Sequence, residues 1–102
     1  NTKLTNCDLT GLDLSETFLF DNTDLTGSNL TATTISNVVM VDVTFDKVNL
    51  EQADLSGFAC RQCTFKGASF KGADVQDINI DATDAIWTDG TCVCQDASCS
   101  NC

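Results

Sequence analysis

The chain has 102 residues, five basic and fifteen acidic side chains, a formal net charge of -10, and no histidine, proline or tyrosine. That length bounds one domain, in which an ordinary core is only marginally stable without a staple or repetitive packing. The charge repels phosphate backbones and anionic membrane surfaces, and the missing imidazole removes the commonest general base, so direct nucleic-acid binding and enzymatic catalysis are not expected. No run approaches the about 20 apolar residues that cross a bilayer, so no membrane insertion is expected. The sequence begins at Asn1 rather than Met, with no basic start followed by an apolar stretch and a cleavage site.

From the amino end, Leu4, Leu9 and Leu14 open a series of apolar residues spaced by five. Leu14 to Leu25 then spans eleven positions where two cells need ten, so one residue is extra. Centring the odd cell on Phe20 places the insertion near Ser15 to Thr17 and buries Phe18 and Phe20, which is worth several kcal/mol. From Leu25 the series continues through Leu30, Ile35, Met40, Phe45, Leu50, Leu55, Cys60, Phe65, Phe70, Val75, Ile80 and Ala85.

A period of five matches neither a helix nor a strand, so each cell is compound. Two residues before each centre the side chain is mostly small or apolar, as at Thr23, Ser28, Val43, Ala53 and Ala68, with polar residues between: strand alternation over a few positions. Two residues after the centre stand Gly11, Gly27, Asn37, Asp42, Gly57, Gly67, Gly72 and Asp77, which accept turn conformations. Each cell therefore reads as a short strand plus a corner. Bulky Phe18, Val38, Phe58 and Ile78 recur at intervals of twenty, whereas Thr33, Ala53 and Ala73 stay small. Four cells thus make one turn of a parallel solenoid of about four coils, with those four bulky residues as one interior column.

Cells such as Cys7-Asp8-Leu9-Thr10-Gly11, Thr23-Asp24-Leu25-Thr26-Gly27, Ser28-Asn29-Leu30-Thr31-Ala32 and Ala53-Asp54-Leu55-Ser56-Gly57 resemble the pentapeptide repeat family, over about residues 2–87. The resemblance implies an all-β, right-handed quadrilateral parallel β-helix with Leu or Phe centres inside, and it implies no catalysis and no cofactor. It also raises the reading that an acidic rod mimics duplex DNA and inhibits DNA gyrase. Against that reading, Asp8, Asp13, Asp24, Asp54, Asp74 and Asp84 occupy the repeat's own polar position, where a carboxylate accepts bonds from turn amides.

Two surface features invite function. Val39 and Val41 point outward together, near Leu19 below and Ala59 above, an apolar patch fit for an unknown protein partner or for a homodimer. After Trp87 the period ends, dividing the chain into a solenoid, 1–87, and an irregular Cys-rich C-terminal cap, 88–102. Such a cap is needed because an open solenoid end exposes strand amides and apolar side chains. Its Cys92, Cys94, Cys99 and Cys102 form a C-x-C-x4-C-x2-C array that acts through disulfides or, alternatively, as a thiolate metal site. Disulfides are the expectation, because all-cysteine zinc sites more often pair two C-x2-C hooks across a longer gap. Cys60 and Cys63 pair with each other or with the tail, and Cys7, in the first coil, is expected as a buried free thiol. Disulfides imply an oxidising compartment: thylakoid lumen, periplasm or the extracellular medium.

Overall fold

A computed structural model describes residues 2–15 and 21–102. Its named strands are short: β1, Thr2–Lys3, pairs in parallel with β2, Thr23–Asp24, and β3, Val39–Val41, pairs in parallel with β4, Ala59–Arg61. Single parallel bridges extend these into four vertical ladders: Asp8, Asn29, Asn49, Ser69 and Ile86; Asp13, Thr34, Asp54 and Asp74; Lys3, Asp24, Thr44 and Thr64; and Val39, Ala59 and Asn79. The result is a parallel β-solenoid with four faces, each rung one cell.

The cell follows from alternation. Leu25, Leu30, Ile35, Met40, Phe45, Leu50, Leu55, Cys60, Phe65 and Phe70 are all buried, and so are the residues two positions before them, while the residue between faces outward. Burying each large apolar side chain contributes about 1.5–3 kcal/mol, so the rod is stable only because every coil covers the next. Corners are made by a left-handed residue every five positions from Asn22 (φ 59) through Asp77 (φ 59). Ala32, Lys47, Gln52 and Gln62 adopt that conformation too, although none is a turn residue by type. A side chain with a Cβ costs roughly 1–2 kcal/mol there, and the ladder bonds on either side of each corner offset it.

In the first coil the rungs are twenty-one residues apart, as in Asp8 with Asn29 and Asp13 with Thr34; from Asp24 with Thr44 to Ala59 with Asn79 they are twenty apart. The extra residue therefore falls between Leu14 and Asn22, whose amides bond to Thr34 and Val41 in the two different registers. Phe18, Leu19 and Phe20 lie outside the described residues. In the expected interior column, Val38 and Phe58 are buried and Ile78 is half-buried.

One register differs from the sequence expectation. Ala59 pairs with Asn79, twenty residues on, but Ser69 pairs with Ile86, only seventeen on. The corner due near position 82 is missing, and the next left-handed residue is Asp84 (φ 67). Ala85 is therefore not a cell centre. It stands one rung above Ala68, and Trp87 takes the centre above Phe70, with ring centroids 5.1 Å apart. Asp84 likewise leaves the polar position for a corner, and Asp81 takes its place, accepting the Thr83 amide at 3.1 Å and the Thr83 hydroxyl at 2.6 Å. Skipping three residues sets the large indole over a ring, where an alanine would leave a void. Phe45 and Phe65 stack at 4.7 Å and 6°, and Phe65 meets Phe70 at 5.5 Å, so aromatic packing runs up the centre of the rod.

Beyond Trp87 the chain reverses. The Asp89 carboxylate accepts the amides of Thr91 and Cys92 at 2.9 and 2.8 Å, and Gly90 takes φ 83. Val93 then pairs antiparallel with Ile86, with Trp87 donating to Cys92 and Cys94 to Ala85, both at 2.8 Å. Among the described residues no helix is long and apolar enough to cross a membrane.

Candidate functional site

The outward face of β3 and β4 carries the apolar patch. Alternation turns Met40 and Cys60 into the core and leaves Val39, Val41, Ala59 and Arg61 outside. Val39 is 61% exposed, Val41 and Ala59 are half-buried, and Leu19 lies outside the described residues. Asn79 stands directly above Ala59 and the Asp21 carboxylate accepts the Val41 amide at 3.0 Å, so polar groups bound the patch on two sides. An exposed valine amid such a rim suits contact with another protein surface.

The acidic positions are engaged locally. Asp8, Asp13 and Asp24 each accept a hydroxyl and an amide from the residue two ahead, Thr10, Ser15 and Thr26, at 2.5–3.1 Å. The hydroxyl first and the amide second hold these carboxyls below the usual carboxylate range. Asp54 makes the same pair of bonds to Ser56, and Asp74 accepts the Gln76 amide at 3.0 Å. Asp21 and Asp46 do something sequence reading missed: each accepts an amide from the next coil, Val41 and Lys66 respectively, at 3.0 Å. Both carboxylates stand twenty residues before the amide they accept, the spacing at which cells stack.

Sulfur chemistry is concentrated near the upper end. Three disulfides join Cys60 to Cys63, Cys92 to Cys102 and Cys94 to Cys99. Cys60 and Cys63 link one cell centre to the first inward position of the next, across the Gln62 corner. Cys7 is unpaired among the described residues and half-buried rather than buried, with its Sγ 3.6 Å from the Thr5 carbonyl. The Sγ atoms of Cys94, Cys99 and Cys102 lie within 4.8 Å of one another.

Two clefts flank the shortened register. One, of about 230 Å³, lies beside Cys63 and Phe65 under Asp81 and Thr83; the other, of about 280 Å³, lies between Ile78, Ile80, Trp87 and Ala97. In the first cleft the Thr83 hydroxyl and amide both donate to the Asp81 carboxylate, bonds that close the local turn.

Comparison with known proteins bears on the whole solenoid. A family model described as pentapeptide repeats matches residues 1–42 and 45–81 in eight copies. Comparison with curated proteins by sequence finds no match. Among solved structures, HetL, a pentapeptide repeat protein involved in heterocyst differentiation regulation in the cyanobacterium Nostoc, superposes with a TM-score of 0.61 at 18% identity, over 87% of this chain and 50% of its own. A pentapeptide repeat protein of the Arabidopsis thaliana thylakoid lumen superposes with a TM-score of 0.59 at 17% identity, over 82% of this chain and 63% of its own. The chain thus spans between half and two thirds of the length of these structures, and at such identities the likeness is one of fold.

Proposed function

From the premise that the chain belongs to the pentapeptide repeat family, we propose that it is a non-catalytic scaffold that binds a protein partner through the β3–β4 face. In this reading a right-handed solenoid of about four coils, residues 1–87, displays the surface, and residues 88–102 cap its upper end through two disulfides. Val39 carries the proposal: it is 61% exposed, and its described neighbours Val41 and Ala59 are half-buried while Asn79 above them is polar. A hydrophobic side chain held rigidly in a ladder costs little entropy to bind, which favours such a position as an anchor.

Three disulfides support an oxidising compartment, and the thylakoid-lumen structure of similar fold is compatible with it. The alternative of a DNA-mimicking gyrase inhibitor has less support. Its charges at Asp8, Asp13, Asp24 and Asp54 are tied into turns by hydroxyl and amide donors two residues ahead.

The test compares the chain with Val39→Asp in affinity capture from the source's own extract and in light scattering. A partner, or a homodimer, recovered with the native chain and lost with the variant supports the reading. Identical recovery and identical mass for both chains overturn it, and inhibition of gyrase supercoiling would favour the alternative.

A further inference from the structure

Among the described residues, three side chains of metal-ligating type, Cys94, Cys99 and Cys102, come together in the tail. Val93 pairs with Ile86 on an extended segment, so Cys92 and Cys94, on either side of it, project to the same face. The turn that follows returns Cys99 and Cys102 to that face, where each closes a disulfide. The two bonds converge: three of the four sulfurs lie within 4.8 Å of one another, and the fourth, Cys92, is one bond from Cys102. A tetrahedral zinc thiolate site has Zn–S bonds of about 2.3 Å and therefore sulfurs roughly 3.8 Å apart.

The turn does not depend on sulfur alone. Asp96 accepts the Ser100 amide at 2.9 Å, the Asn101 side-chain oxygen accepts the Gln95 amide at 2.9 Å, and Asn101 Nδ2 donates to the Val93 carbonyl at 3.0 Å. Ala82 also donates to the Ala97 carbonyl at 2.9 Å, tying the turn to the solenoid. None of these four bonds involves sulfur, so none is broken directly when the disulfides open. Asn101 Nδ2 additionally reaches Cys92 Sγ at 3.7 Å, the kind of donor that steadies a metal-bound thiolate from outside.

We propose that reduction converts this segment into a soft-metal site in which Cys92, Cys94, Cys99 and Cys102 hold one zinc-class divalent ion. The inference rests on the reading of residues 88–102 as an end segment braced through sulfur, and gives that brace a second form. Two equivalents of a dithiol reductant deliver four electrons and four protons to the two S–S bonds, each dithiol closing its own disulfide. The ion then displaces four thiol protons to solvent as the thiolates bind.

The full chain, reduced without air and freed of reductant, is titrated with Co²⁺ and then Zn²⁺. The expected result is one Co²⁺ per chain with the visible spectrum of a tetrahedral tetrathiolate site, displaced by equimolar Zn²⁺. Cys92→Ser and Cys102→Ser each weaken uptake by roughly a hundredfold or more, while Cys60→Ser/Cys63→Ser leaves it unchanged. If reduction unfolds the chain, recovery of its β-sheet circular dichroism with Zn²⁺ supports the proposal and failure to recover overturns it. Absence of Co²⁺ uptake by a folded reduced chain, or uptake indifferent to Cys102→Ser, also overturns it. The end-segment reading fails separately, if Cys94→Ala/Cys99→Ala leaves the melting of the oxidised chain unchanged.

Discussion

Trp87 sits over Phe70 at 5.1 Å between ring centroids although seventeen residues, not twenty, separate the two. That contact joins the last regular coil to the segment that ends it, because Trp87 both closes the aromatic column and donates its amide to Cys92 on the returning strand. Replacing the indole removes packing from one side of Phe70 while the hairpin hydrogen bonds remain. Trp87→Ala is expected to cost about 2 kcal/mol, less than for a fully buried ring because the indole is half-buried, and to lower Tm by roughly 10 °C. Thermal melts followed by circular dichroism read this directly.

Corner glycines differ in what lies beneath them. A Cβ on Gly57 would meet the Asn37 side-chain oxygen at 2.2 Å, whereas one on Gly67 would find nothing nearer than 3.6 Å. Both residues have φ near 70, so both alanine variants carry a conformational cost of about 1 kcal/mol. Gly57→Ala is expected to be the more destabilising, and the excess should disappear in an Asn37→Ala background. Urea unfolding of the four variants measures the coupling.

Acid should loosen the polar turns. The Asp8, Asp13 and Asp24 carboxyls lie below their ordinary 3.8 in the folded chain because the neighbouring hydroxyl and amide favour the charged form. A depressed folded-state value means the unfolded chain binds more protons, so this stabilisation is present above about pH 4 and is lost as pH falls through the folded-state value. Thr26→Val removes the hydroxyl bond to Asp24. Its stability deficit relative to the native chain should therefore be present at pH 6 and shrink towards pH 2, a trend that urea midpoints across that range will show.

Thiol counting separates the sulfur states. Denatured without reductant, the chain is expected to take up one alkyl group, at Cys7, and after reduction seven. Among the bridges, Cys60–Cys63 closes the shortest loop, with a sequence separation of 3 against 10 for Cys92–Cys102. Chain entropy then assigns roughly 2 kcal/mol to the former and somewhat more to the latter. Cys60→Ser/Cys63→Ser should accordingly lower the unfolding midpoint less than Cys92→Ser/Cys102→Ser.

Most of the solenoid was legible in the residues themselves. A side chain that recurs every fifth position as Leu, Ile, Met or Phe can only be satisfied by a backbone that turns at the same interval, and the twenty-residue recurrence of Val38, Phe58 and Ile78 names the cells that stack. Glycine and asparagine marked many corners, because left-handed backbone is cheap for them. What local pattern did not contain was any reason for Lys47, Gln52 and Gln62 to turn the same way: there the ladder above and below imposes the corner.

The upper end was decided by packing between distant residues. Ala85 continues the five-residue spacing, so sequence reading made it a centre, yet the space above Phe70 suits a large ring and the chain omits three residues to supply Trp87. The same shift moved Asp84 into a corner and Asp81 into the polar position. Disulfide partners were equally invisible, since any of six cysteines satisfies the same composition and only the antiparallel return of Val93 along Ile86 brings particular sulfurs together. Repetition is a property of each cell and can be read cell by cell; its termination depends on volumes and directions that exist only once the coils are stacked.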